Sequence, residues 1–191
     1  MSRQRIYNEK HRVFINSQAA YLDGNLIYDL GNISDAEPLV WLYRNMGIAY
    51  PKFFKMDRIS KLGFLATELL MQKVAKEHLD KNSVATILAT SDACLEIDQQ
   101  FERSRAEIAS PALFVYTLPN IAAGEICIRN GFKGEQMVWV SDDFQEEVML
   151  NYLDGLFAEG NTSACLAGYL NAYQNRLQAN LGWYTLKQNQ Q

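Results

Sequence analysis

Ser110-Pro111-Ala112-Leu113-Phe114-Val115-Tyr116-Thr117-Leu118-Pro119-Asn120-Ile121-Ala122-Ala123-Gly124-Glu125, continuing through Arg129-Asn130-Gly131-Phe132-Lys133-Gly134, is the stretch whose reading fixes the fold class. Its apolar and aromatic run from Leu113 to Thr117 reads as a strand, residues 119 to 130 read as a helix, and Gly131 and Gly134 frame a Gly-x-x-Gly turn. A further strand, Met137 to Ser141, and a helix over residues 143 to 158 follow.

Upstream, Val84-Ala85-Thr86-Ile87-Leu88-Ala89 is a short continuous apolar run, the signature of a strand buried on both faces in a parallel sheet. From Met56 to about Leu79 runs the longest helix signal, with Ile59, Leu62, Leu65, Ala66, Leu69, Leu70 and Val74 recurring at helical spacing. A first strand is expected at Arg12 to Asn16, followed by a turn-rich stretch through Asp23-Gly24 and Gly31-Asn32. Ser34-Asp35-Ala36-Glu37 then fits a capping box, with Pro38 suited to a first helical turn. A helix over residues 96 to 106 and strands at Ser163 to Gly168 and Gly182 to Leu186 complete the alternation. The pattern predicts an α/β layered fold and one domain over residues 1–191, with loose tails at 1–10 and 187–191.

Composition narrows the function classes. With 191 residues, 48% apolar and 12% aromatic, the chain can bury a sizeable core and is not disordered. A net charge of −4 and the lack of a Lys/Arg cluster argue against nucleic acid; Arg3, Arg5, Lys10 and Arg12 read as a solvated N-terminal arm. No run of about 18 apolar residues is available to span a bilayer, and Met1-Ser2-Arg3-Gln4-Arg5 does not open a signal peptide, so a cytoplasmic protein without a membrane partner is expected. Cys94, Cys127 and Cys165 form no Cys-x-x-Cys or Cys/His cluster; they read as reduced thiols, two of them in the core, and no metal or cofactor is expected.

The stretch quoted first resembles the segment of β-ketoacyl synthases that leads to their active site. Proline, aromatic strand, asparagine, Ala-Gly and Gly-x-x-Gly occur there in this order and at this spacing. Lys55-Met56-Asp57-Arg58-Ile59-Ser60-Lys61-Leu62 resembles the family's Arg-Met-Asp-Arg-x-Ser-x-Leu helix start, and Arg12 to Ala20 its opening strand. The resemblance extends to the N-terminal half of a ketosynthase only. It implies a thiolase-like half-domain with a mixed five-stranded sheet flanked by helices.

The family's nucleophilic cysteine lies nine residues after the second glycine of the turn, which is the position of Asp143; counting back twenty-five residues from the glycine of Ala167-Gly168 gives the same place. A ketosynthase needs a thiolate there, ionised by a helix N-terminus, to carry the acyl group as a thioester. Aspartate cannot form that thioester, and the family's two histidines belong to its C-terminal half. His11 and His78 read as ordinary surface residues. Ser141-Asp142-Asp143-Phe144-Gln145-Glu146 suggests an Asp143 N-cap, with an acid/base role as the alternative. None of the three cysteines is expected at a helix N-terminus, so none is expected to be reactive.

Over residues 143 to 158, Phe144, Val148, Met149, Tyr152 and Leu156 are expected on one side and Glu146, Glu147, Asn151 and Asp154 on the other, as suits a half-domain standing without a covalently attached second half. Met137-Val138-Trp139-Val140 is apolar enough to be unsafe as an open edge, and in the family this strand pairs across the dimer axis; a dimer is expected, with itself or with a full-length ketosynthase. Tyr116, Thr117, Leu118, Asn120 and Trp139 are the candidate ligand or partner residues, with core and interface packing as the other reading of Tyr116 to Leu118. What the resemblance implies is a non-catalytic ketosynthase-like subunit of a fatty-acid or polyketide (aryl-polyene type) pathway, pairing with a synthase or an acyl carrier protein. The alternatives are a 3-oxoacyl-carrier-protein synthase or acyltransferase activity completed by a partner chain, and an acyl-chain binding protein.

Overall fold

Strand β4 (Val84–Thr90) is buried along its whole length, as its unbroken apolar run requires. The computed structural model describes residues 5–33, 37–74, 79–106 and 110–187. In it, β5 (Gln136–Val140) and β6 (Ala164–Tyr173) flank β4 in parallel. From β6 the sheet continues antiparallel through β7 (Arg176–Leu186), β1 (Tyr7–Asn16), β2 (Ala19–Leu22) and β3 (Asn25–Asp29), giving the order β3-β2-β1-β7-β6-β4-β5. The sheet therefore has seven strands, not five. The additional pair is the hairpin of β2 and β3, whose Asp23-Gly24 loop has both residues at positive φ (51° and 77°). Asp-Gly between two strand-forming runs is the preferred two-residue hairpin turn, the signal hidden in the stretch read as merely turn-rich.

Helices cover both faces. On one lie α1 (Pro38–Asn45), α2 (Arg58–Val74) and α5 (Asn120–Asn130). The α2 stripe Leu62, Leu65, Leu69 and Leu70 is fully buried in a core that includes Val13, Ile15, Leu166, Leu181 and Trp183. Burying each such leucine stabilises the fold by ~1.5–3 kcal/mol. On the other face α6 (Glu146–Ala158) packs Met149, Leu153, Leu156 and Phe157 on Ile87, Cys165, Ala167 and Tyr184. Two further helices, α3 (Leu95–Ser104) and α4 (Pro111–Val115), follow β4.

Several local expectations are corrected. Leu113 to Thr117 is not a strand: Ser110 Oγ accepts from Leu113 N, Pro111 occupies the first helical turn, and these start signals outweigh the β propensity of the aromatic run. Helix α1 is capped by Glu37, whose Oε2 accepts from Val40 N at 2.9 Å; Ser34–Ala36 of the expected capping box, and His78, lie outside the described residues. Residues 7–10 belong to β1 and Lys187 N donates to Ile6 O at 3.0 Å, so these parts of the expected tails are structured. Arg5 and Arg12 are not a solvated arm. Arg5 binds Glu147 and Asp154, and Arg12 binds Glu9 and Glu146, so the charged side of α6 is tied to the start of the chain.

The buried stripe of α6 is also displaced from the expected one. Val148 is 52% exposed, and Leu153 and Phe157 take its place inside. The Gly-x-x-Gly turn has a physical reason: Gly131 caps α5 at φ 75°, and a Cβ on Gly134 would stand 2.5 Å from Val84 O of β4.

Candidate functional site: the β5 edge and the carboxyl ends of the parallel strands

Among the described residues β5 is the last strand of the sheet, and one side of its backbone has no ladder partner there. Apolar side chains stand exposed on the strand and on both helices that flank it: Val140 at 55%, Val148 on α6, and Ile128 on α5 at 66%. The direction of Ile128 follows from helix periodicity. Arg129 of α5 binds Glu68 of α2, and Cys127 touches Thr86 of β4, so Asn120, Gly124 and Ile128, four residues apart, share the face turned away from α2. Phe114, Val115 and Leu118, in and after α4, add further exposed apolar surface just before α5.

A cleft of about 410 Å³ lies beside this edge, lined by Val138, Trp139, Val140, Asp143, Phe144 and Val148. Trp139 stacks edge-on against Tyr152 of α6 with ring centroids 5.2 Å apart. Asp143 is exposed and does not cap α6, contrary to expectation. The helix starts at Glu146, Gln145 is its N-cap without a side-chain bond, and the Asp143 carbonyl accepts from Ser141 Oγ at 2.9 Å. The bend at Asp142-Asp143 holds the carboxylate two residues short of the cap position.

A second cleft, of about 440 Å³, opens between α2, α3 and α4 and is lined by Asp57, Arg58, Cys94, Gln100 and Tyr116 among others. Asp57 Oδ1 accepts from Ser60 N at 3.1 Å and so caps α2, while burial pushes its carboxyl up to about 6 against the pull of the Ser60 bonds. Folding thus takes up a proton at Asp57, so the stability this group contributes is fully present below about pH 4 and is lost as pH rises through 6. Asp57→Asn keeps the capping acceptor and removes the titration; we expect a flatter stability profile between pH 4 and 6.5 in urea unfolding, and a higher midpoint than the parent at pH 7.

Cys94 stands at the N-cap of α3, a helix N-terminus the sequence reading did not assign to it. Burial, then Asp57 and Asp98, nevertheless push its thiol up to about 12, the opposite of an activated nucleophile. Burial also raises Cys127 and Cys165, and all three are buried.

The sequence-derived candidates are therefore divided. Trp139 and Asp143 share the cleft at β5, whereas Tyr116 lines the second cleft and donates its hydroxyl to Glu125 Oε1 at 3.0 Å. Glu125 is buried on α5 and pairs with Lys52 Nζ, 2.7 Å from Oε2, without the alignment of a hydrogen bond. Thr117 bonds locally to Phe114 O, Leu118 is exposed, and Asn120 opens α5.

A polar network at the carboxyl ends of β4 and β6 escaped the sequence reading. Asn171 Oδ1 accepts from Asp92 N at 3.0 Å and from Thr90 Oγ1 at 3.3 Å, Asn171 Nδ2 donates to Asp92, and Ser91 Oγ pairs with Tyr169 OH at 2.8 Å. The lone asparagine inside the apolar run Ala164–Tyr173 was the available signal. Among the described residues no group of three or more His, Cys, Asp or Glu side chains is placed to hold a metal, and no helix is long and apolar enough to cross a membrane.

No protein-family model matches the chain, and a comparison with the curated proteins finds no match. Solved structures are similar in fold. The ishigamide ketosynthase/chain length factor aligns at TM-score 0.60 and 18% identity, over 69% of this chain and 44% of that one. The complex of the ketosynthase ApeO with its chain length factor ApeC, from Xenorhabdus doucetiae, contains a chain aligning at TM-score 0.63 and 11% identity, over 97% and 81%. A type II polyketide synthase acyl-carrier protein in complex with its ketosynthase bound to the hexaketide (AntDE:AntF) contains one aligning at 0.71 and 12%, over 96% and 63%. The chain thus spans less than half of the first of these chains and about two thirds of the third. The fold is the α/β layer shared with these ketosynthase structures.

Proposed function

We propose that this chain is a non-catalytic ketosynthase-like subunit that pairs along β5 with a ketosynthase-type chain in fatty-acid or polyketide (aryl-polyene type) assembly, where the pair meets an acyl carrier protein. The observation that carries the reading is the open β5 edge with exposed Val140, Val148 and Ile128 on the strand and both its flanking helices. Apolar surface of this kind at an unpaired strand edge is an association surface. Support for the absence of condensation chemistry comes from Asp143 at the family's nucleophile position and from three buried thiols held in their protonated form.

Two measurements test it. The double variant Val140→Asp/Val148→Asp places charge on already exposed positions, so the thermal midpoint should move by only a few degrees while association with a ketosynthase chain, read by sedimentation velocity, weakens at least ~100-fold. Undiminished association would remove β5 as the partner edge. Incubation with radiolabelled acyl carrier protein should leave this chain unlabelled. A covalent acyl group abolished by Cys94→Ala would establish the alternative, an activity completed by the partner.

A further inference from the structure

Independently of any partner at β5, we infer that the cleft beside this edge binds a small organic cation, a primary amine on an apolar body, whose ammonium group pairs with the Asp143 carboxylate while the body lies against Trp139, Phe144 and Val148.

Charge sets the class of ligand. The cleft, about 410 Å³, is of the size of small-molecule sites, and among the described residues Asp143 is the one charged side chain that lines it. Its carboxylate forms no salt bridge among those residues, and Ser141 Oγ bonds the Asp143 backbone carbonyl instead. Two positive features lie near. Arg176 shares a separate hollow of about 160 Å³ with Asp142 and Asp143, but it leans on Tyr169 and on Asp92, 3.8 Å away, and does not line the cleft. The N-terminus of α6 carries about half a charge, which Glu146 and Glu147 in its first turn offset. A free carboxylate ligand would therefore meet repulsion in the cleft, and an ammonium group attraction.

The walls supply the rest of the specificity. Trp139 is braced edge-on by Tyr152, and Phe144 by Tyr169 at a ring-centroid distance of 5.3 Å, so two half-buried rings are held in place before a ligand arrives. Aromatic faces attract a cation as well as an apolar body. Val140 and Val148, both exposed, add apolar surface that a bound ligand would remove from water. A neutral apolar compound would use these walls alone, without Asp143.

Probes that share one body separate charge from shape: 2-phenylethylamine, 3-phenylpropionate and 2-phenylethanol, titrated into the chain alone and followed by its backbone amide shifts. The amine should bind at least ~10-fold more tightly than the acid, with the largest shifts at Trp139, Phe144 and Val148. Asp143→Asn, at an exposed position, should weaken the amine about fivefold and leave the alcohol unchanged, whereas Phe144→Ala should weaken amine and alcohol alike. Acid binding as tight as the amine, or amine binding indifferent to Asp143→Asn, overturns the ion pair and with it the proposal. Shifts centred on the cleft between α2, α3 and α4, or no binding of the amine, overturn the cleft beside β5 as the site. Because the chain is titrated without a partner, each of these outcomes leaves the reading of the β5 edge where it stands.

Discussion

Gly168→Ala is expected to leave almost no folded protein. Gly168 lies in β6, paired with Leu88 of β4 on one side and Leu181 of β7 on the other, at φ 155°. A Cβ built there falls on Asn180 O and stands 2.9 Å from Leu181 Cα. Both are backbone atoms of the neighbouring strand, so no rotamer change relieves the overlap, and β7 would have to leave its ladder with β6. Because β7 joins the parallel part of the sheet to β1 and the hairpin, the damage spreads through the core. We expect a loss of ~4 kcal/mol or more, a large share of a typical domain stability. Soluble expression and far-UV circular dichroism check it, and a variant with a parent-like urea midpoint would contradict the strand pairing described.

Asn171→Leu is expected to cost ~3 kcal/mol, the next largest effect, and to loosen one loop in particular. Asn171 is fully buried, and leucine matches its size but returns none of its hydrogen bonds. Asp92 N would then be left without its acceptor in a partly buried setting, the costly way to break a hydrogen bond. The loop it holds, Ser91 to Cys94, includes Ala93 at φ 45°, a conformation unfavourable for a residue with a Cβ. That strain is offset by the bonds of Asp92 N to Asn171 and of Ala93 N to Thr90 Oγ1, the latter at 3.0 Å. With Asn171 gone, amide exchange should accelerate at Asp92 to Leu95 well before it does in α2. Asn171→Asp keeps an acceptor for Asp92 N but replaces the amide donor to the Asp92 carboxylate with a second buried carboxylate, so at neutral pH it should not restore the loop protection.

How far the sequence could be read depended on whether local and tertiary signals agreed. The buried strand Val84–Thr90 and the leucine stripe of α2 were legible because composition and periodicity are strong over many residues. Leu113 to Val115 was misread because strand-like side chains sit behind a Ser-Pro helix start, and over five residues the cap decides. The hairpin of β2 and β3 was passed over although Asp23-Gly24 announces it, since its strands are only four and five residues long. At the site, the apolar character of Met137–Val140 was legible in its residues, and its place at an edge followed from the family resemblance. The exposure of Val148 and Ile128 could not, because which side of a helix a neighbour covers is set by packing. Asp143 fits the N-cap pattern by residue type, yet the chain bends at Asp142-Asp143 and enters α6 at Glu146 instead.

Deuterium exchange of the β5 backbone amides tests the proposal that this edge receives a ketosynthase-type partner most directly. In the free monomer, the outward-pointing amides of Gln136 to Val140 should exchange quickly while those of β4 stay protected. At concentrations where sedimentation shows the complex, with an added ketosynthase or with a second copy, they should slow by about 100-fold or more as ladder bonds form. A complex that forms with the β5 amides still exchanging at the free rate would contradict the account, because its partner would then be seated elsewhere.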